Sequence, residues 1–377
     1  MKNKIYLDNN ATTGVDPQVL EAMLSELSCI PSNPSSSHFF GQDAKRRLQS
    51  ARETIARFFN VKSHEVVFTS GGTEAINLIL RGFFSTEVSG HAITSDVEHS
   101  CVNHTMEELR KRGLDVSFLP ARLHGAVRPE QVAAAIRPDT RFITLMAVNN
   151  ETGIKHDLNA IGQIALEANI PLIVDGVAWL GKEQFALHPG IASICFSGHK
   201  FHAPKGVGLA IVRAPLKLHP LITGGQQEFS LRPGTENLAG IIGLAKAIEL
   251  LKLELPAATV RMETLRDRLE KGLIEQAGPV VINGTGNRVC NTCNLSFPDV
   301  GGEDLLIALD MAGIAVSHGS ACSAGALEPS RILLNMGVPH KIARSAVRFS
   351  LSRNTTLEEI DQTIAAVAAI VRQLRKQ

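Results

Sequence analysis

Between about residues 65 and 215, short apolar runs rich in β-branched residues alternate with segments whose apolar positions recur at helical spacing. The runs lie at 65–69, 91–94, 116–119, 142–148, 171–175, 191–196 and 208–212. Helical segments between them include 73–81, 130–136 and 160–168. Such alternation predicts an α/β domain built on a mostly parallel sheet. The runs are apolar at nearly every position, which predicts a sheet covered on both faces. The run at 208–212 is expected to pair back into that sheet.

Beyond residue 238 the pattern changes. Helical spacing persists over 239–277, with a break or kink expected at Pro256. This stretch could bridge two domains. Strand-like runs follow at 279–282, 294–297, 314–316 and 346–351, separated by helical segments at 304–312, 331–336 and 357–376. They predict a smaller α+β domain. The segment Pro31–Ser37 reads as an ordered loop or a lid.

A length of 377 residues accommodates two domains. Hydrophobic residues at 44% and charged residues at 20% are those of a soluble globular enzyme. A net charge of +1 gives no general attraction for nucleic acid or an anionic membrane. The N-terminal residues run into Asp8-Asn9-Asn10 without a long apolar segment, which argues against a secretory signal. Later apolar stretches such as 238–255 are interrupted by Lys246, Glu249, Lys252 and Glu254. A cytoplasmic location with no membrane partner is therefore expected. The six cysteines are then expected as free thiols. Cys195 sits in an apolar run and reads as packing. Cys290 and Cys293 form a CxxC with no second pair or nearby His, and read as structural.

The run 191–196 delivers Ser197, His199 and Lys200 to one loop. A lysine in a partly dry pocket beside a histidine loses proton affinity. It can form a Schiff base with an aldehyde, and pyridoxal phosphate is the common biological one. The strand ending at Ser70 opens through Gly71-Gly72-Thr73-Glu74 into a helix. Glycine amides and a helix N-terminus suit an anion, and Thr73 can cap the helix or donate to a phosphate. The spacing matches neither nucleotide fingerprint. Asp175 ends an apolar strand, as a helix cap or as partner to a protonated ring nitrogen. Asn150 could donate to a ring hydroxyl. His99 could stack on a ring and move protons. Several strand ends thus converge where an α/β sheet places its ligands. The small-residue segment Ser317–Gly325 predicts an exposed, mobile loop. A nearby cation would make Cys322 in it a thiolate. Arg348, inside a strand, needs either a substrate carboxylate or an internal salt bridge.

These residues resemble the cysteine desulfurases, pyridoxal-phosphate enzymes of the class V aminotransferase family. The likeness runs nearly end to end, through Tyr6–Thr13, Asn33–His38, Phe68–Asn77, Val148–Gly153, Ser197–Lys200, Arg232–Asn237, Gly319–Cys322, Leu327–Ser330 and Val347–Ser350. The Cys322 segment looks like that of the subgroup serving general iron–sulfur assembly. The resemblance implies a fold-type I homodimer with a large pyridoxal 5'-phosphate-binding domain (15–258) and a small domain (1–14 and 259–377). Lys200 would be the Schiff-base lysine. Asp175 would pair with the pyridine nitrogen, Asn150 with the ring hydroxyl, and His99 would stack. Gly72, Thr73, Ser197 and His199 would bind phosphate, with Thr235 reaching it from the partner subunit. Arg348 would grip the carboxylate of L-cysteine. The Cys322 thiolate would take the substrate sulfur as a persulfide, releasing alanine. A sulfur-acceptor or iron–sulfur scaffold protein would follow as partner, although members that dock the scaffold often carry a longer tail after the last helix.

Four positions depart from the family pattern. Relatives usually carry Gln where this chain has Ala178. Gln226 and Phe229 are bulky in a segment that is usually glycine-rich, and His318 stands where a small residue is usual. The rival readings within the family are a selenocysteine lyase and an aminotransferase, and a plain aminotransferase has no need of the mobile Cys322 thiol. A non-catalytic scaffold has little reason to keep Lys200, Asp175, His99, Cys322 and Arg348 together. Trp179, the sole tryptophan, is expected to adjoin the cofactor site.

Overall fold

The computed structural model describes residues 4–319 and 328–376. The strands are β1 (Ile5–Tyr6), β2 (Val66–Thr69), β3 (His91–Ser95), β4 (Asp115–Leu119), β5 (Thr140–Met146), β6 (Leu172–Asp175), β7 (Ile191–Ser197), β8 (Gly208–Val212), β9 (Val281–Ile282), β10 (Thr292–Ser296), β11 (Ile314–Ala315) and β12 (Ala346–Ser350). The helices are α1 (Pro17–Leu27), α2 (Phe39–Phe59), α3 (Gly72–Gly82), α4 (Ser100–Lys111), α5 (Pro129–Ala135), α6 (Leu158–Glu167), α7 (Leu238–Gln276), α8 (Gly302–Met311), α9 (Arg331–Asn335), α10 (His340–Ala343) and α11 (Leu357–Leu374).

Among the described residues the larger sheet has seven strands in the order β2-β8-β7-β6-β5-β3-β4. Strands β4, β3, β5, β6 and β7 are mutually parallel. Strand β8 runs antiparallel to both β7 and β2. Strand β2 therefore shares the direction of β7, and the C-terminal ends of β2, β3, β5, β6 and β7 open on one edge. Side chains on the strands alternate between two cores, as the pleat requires. Phe68, Ile143, Leu145, Val174, Ile194 and Phe196 face the core shared with α2, α6 and the first half of α7. Val67, Phe142, Ile173 and Cys195 face the one shared with α3 and α4. Both faces are covered, as the continuous apolar runs predict.

Strands β12, β10 and β9 form an antiparallel sheet, and β1 pairs in parallel with β11. Ile5 and Leu7 pack there with Leu265, Leu269 and Leu273 from the second half of α7. Of the break or kink expected at Pro256, the break does not occur: α7 runs as one helix of 39 residues. Proline removes the N–H that would bond to the Lys252 carbonyl. Lys252 lies on the exposed side, where water can take that carbonyl. No helix among the described residues is long and apolar enough to cross a membrane.

Candidate active site

The convergent sheet edge holds a cavity of about 210 Å³. Gly72 and Thr73 reach it from the β2–α3 turn, His99 from the β3–α4 turn, and Asn150 from beyond β5. Asp175 comes from the end of β6, and Ser197, His199 and Lys200 from the end of β7. Arg348 closes the wall from β12, in the other sheet. Nine residues separated by up to 276 positions thus meet because parallel strands end together and the C-terminal sheet abuts that end.

The Lys200 turn is held by the N-terminal segment. Lys200 Nζ donates to the carbonyls of Asn10 (2.7 Å) and Ala11 (2.8 Å). The Thr13 amide donates to His199 O at 2.9 Å, and His199 Nδ1 lies 3.1 Å from Thr12 Oγ1. Asn10 is itself fixed by donation to Thr292 Oγ1 at 2.9 Å. A second amine lines the cavity. Lys182 is buried and donates to the Lys200 carbonyl at 3.0 Å. Burial pushes its ammonium down to about 8, with Lys200 adding to the shift.

At the anion end, the N-cap of α3 is Gly71, which offers no side chain to cap the helix. Thr73 lies inside the helix, so its hydroxyl is available to a ligand and is not the cap. A Cβ at Gly72 would come within 2.6 Å of Val177 Cγ2, so only glycine leaves the backbone close to this wall. Glu74 is turned away, accepting from Ser70 N (2.8 Å) and Arg232 Nε (2.9 Å). Burial and the neighbouring Lys200 push His199 down to about 4, leaving a neutral ring.

At the other end, Asp175 Oδ1 accepts from Val177 N at 3.0 Å, in a turn that opens no helix. Its role is therefore not helix capping. Burial raises this carboxyl, while His99 and Lys200 act against the rise. A cation brought to it would hold it ionised. Burial also lowers His99 from its ordinary value. The Arg348 guanidinium is paired internally, with Asp8 Oδ1 at 2.6 Å and Asn150 O at 3.0 Å. Two bonds leave part of its five-donor fork for a further carboxylate.

Beneath the floor, Glu98 is wholly buried, its Oε1 accepting from Ser95 Oγ (2.5 Å) and Met146 N (3.1 Å). Burial pushes its carboxyl from 4.5 up to about 8. Between those values the folded protein keeps a proton that the unfolded chain has lost, so this group makes stability fall as pH rises through the window. Glu98→Gln keeps an acceptor for both donors without titrating. Its melting temperature is expected to gain on the wild type steadily from pH 5 to pH 8; a constant difference would show that Glu98 is ionised in the fold.

The structure thus brings together nine of the residues singled out in the sequence. Thr235 is exposed and lies outside the cavity of its own chain. Cys322 lies outside the described residues. Trp179 does not line the cavity: its ring stacks on Phe185 at 3.7 Å and its Nε1 donates to Glu183. Cys290 and Cys293 are buried, with burial pushing both thiols up to about 12, which agrees with a structural role. Sequence reasoning missed Asn9, Asn10, Cys101 and Lys182.

Fold and cavity together define an α/β enzyme with a half-buried lysine, an anion cradle and a buried acid at one sheet edge. The aminotransferase class-V profile matches residues 5–363, and the chain belongs to that family, whose members are pyridoxal-phosphate enzymes. It is 41% identical over 379 residues to the cysteine desulfurase IscS of Dictyoglomus turgidum, spanning all of this chain and 96% of the relative. Among solved structures it is similar to a NifS-like protein, with a TM-score of 0.91, 35% identity and coverage of 99% and 100% of the two chains. It is also similar to SspA in complex with cysteine, with a TM-score of 0.82, 34% identity and coverage of 94% and 100%.

Proposed function

We propose that this protein is a cysteine desulfurase, converting L-cysteine to L-alanine and passing the sulfur to Cys322 as a persulfide. The observation that carries the reading is the meeting of Lys200, Asp175 and Arg348 at one cavity with an uncapped helix N-terminus. The donor set fits pyridoxal 5'-phosphate. Amides of Gly72 and Thr73, with the Thr73 and Ser197 hydroxyls and the His199 ring, suit the phosphate. Asp175 suits a protonated ring nitrogen, and Asn150 the ring hydroxyl. Bound there, the cofactor supplies an aldehyde for amine condensation and a ring that withdraws electrons.

The chain's own residues do the rest. Arg348 takes the substrate carboxylate and orients the molecule. Lys200 yields to the substrate amine and then carries a proton at the substrate Cα, with His99 on the same wall. The Cys322 thiolate bonds to the substrate sulfur as the Cβ–S bond breaks, and the carbon is protonated to give alanine. The persulfide then passes to an acceptor for iron–sulfur or other sulfur-cofactor assembly. We take the working form as a homodimer in which Thr235 serves the partner's phosphate, and the domains as 15–258 and 1–14 with 259–377. The packing of Ile5 and Leu7 against the second half of α7 supports that division.

Alanine release from L-cysteine under a reductant, wild type against Cys322→Ala, tests the reading. Alanine from the wild type alone is expected. Equal alanine from both would remove Cys322 from the chemistry, and alanine from neither would remove the substrate.

A further inference from the structure

Cys101 lies on the cavity wall beside His99, and no step above uses it. His99 is the N-cap of α4, and its Nδ1 accepts from the Cys101 backbone N–H at 3.2 Å. The Cys101 Sγ lies 2.9 Å from the same Nδ1. An amide N–H can only donate, so Nδ1 must present its lone pair. The thiol must then be a second donor to it. Nε2 is the ring nitrogen left to carry the proton and to serve the cavity.

We propose that Cys101 is a positioning residue: its thiol and its amide together hold His99 as the neutral ring with the proton on Nε2. The arrangement is self-consistent. Burial, and the neighbouring Asp175 and Glu98 carboxyls, push the Cys101 thiol well above its ordinary value, so it keeps its proton and stays a donor. It is correspondingly poor as a nucleophile. The charged and titratable groups facing His99 are Asp175 beyond β6, Lys200 beyond β7, Arg331 on α9 and His104 on α4. Among the described residues only Cys101 bonds directly to the ring's Nδ1. The inference about His99 protonation stands on this geometry. Its effect on turnover rests on the desulfurase reading.

The test is ¹⁵N NMR of the full-length, cofactor-loaded protein labelled at histidine, with the His99 signals assigned through His99→Gln. In the wild type, Nδ1 is expected unprotonated and Nε2 protonated from pH 6 to 9. Cys101→Val keeps the volume without the donor, and Cys101→Ser keeps a donor. The midpoint for ring protonation is expected to rise in Cys101→Val by about half to one pH unit, a roughly 3- to 10-fold gain in proton affinity. It should return to the wild-type value or below in Cys101→Ser. The acidic limb of the kcat/KM profile should move with it. A protonated Nδ1 in the wild type, or equal midpoints in all three proteins, would overturn the proposal. These signals are read without turnover, so a failure of the desulfurase reading would leave them standing.

Discussion

Lys200→Ala is expected to cut alanine release from L-cysteine by on the order of 10⁴-fold or more, and to remove the visible absorbance of a lysine-bound cofactor. The expectation rests on position. Lys200 is presented by a turn that β7 starts and the Asn10–Thr13 segment clamps, with its amine on two backbone carbonyls. Lys182 is the other amine on the wall, but its Nζ is tied to the Lys200 carbonyl and does not replace it. Alanine measured by derivatisation, with the absorption spectrum of the same sample, reads both effects. A variant that keeps its spectrum would transfer the covalent role to Lys182, and Lys182→Met would then be the null enzyme.

Glu228→Ala is expected to destabilise the fold by about 3–5 kcal/mol, because it strands a buried guanidinium. Arg52 and Glu228 form a bidentate pair at 2.5 and 2.9 Å, and the Glu228 carboxylate also accepts from Phe68 N at 2.7 Å. Both side chains are almost fully buried, and Arg52 is sandwiched between Phe68 and Phe229. The pair anchors Glu228, Phe229 and Ser230, which all hold positive φ (46°, 59° and 64°). Non-glycine residues rarely sit there, so the anchor offsets local strain. Denaturant midpoints for Glu228→Ala, Arg52→Met and the double Arg52→Met/Glu228→Ala read the coupling. The double variant should lose less than Glu228→Ala alone; a loss equal to the sum of the singles would show that the pair does not couple.

Much of this was legible in the sequence, for identifiable reasons. The inner runs of the large sheet are apolar at successive positions because both faces are covered, so each stood out from its polar flanks, whereas the edge strand β4 is only half-buried. Site residues at strand ends were legible because Asp175 and Lys200 interrupt apolar runs where the chain turns. Helix α2 was not read, although it is 21 residues long. Its buried stripe of Ala44, Leu48, Ala51, Ile55 and Phe59 does keep helical spacing, but the many charged residues between them, Arg52 in the stripe included, leave the segment polar on average. The internal partners of Arg348 were illegible for another reason. Asp8 is 340 positions away, and the pairing of the N-terminal segment with Ser350 brings it there. Cys101 carried no signal, since its significance lies in a side-chain rotamer beside His99.

The unbroken α7 rises about 58 Å, and each half is embedded in a different core. It acts as a shared beam under both ends of the cavity. Arg353, paired with Glu254 on the beam and with Asp16 ahead of α1, adds a cross-brace. Lys200 hangs from one end of this frame and Arg348 from the other. The span between amine and guanidinium is thereby a gauge, set by the frame before any substrate arrives. On the proposed reading, a substrate whose amine takes the place of Lys200 on the cofactor while its carboxylate sits on Arg348 is held at two points fixed by that frame, so its side chain is delivered to a set place and substrate length is judged by where the sulfur falls.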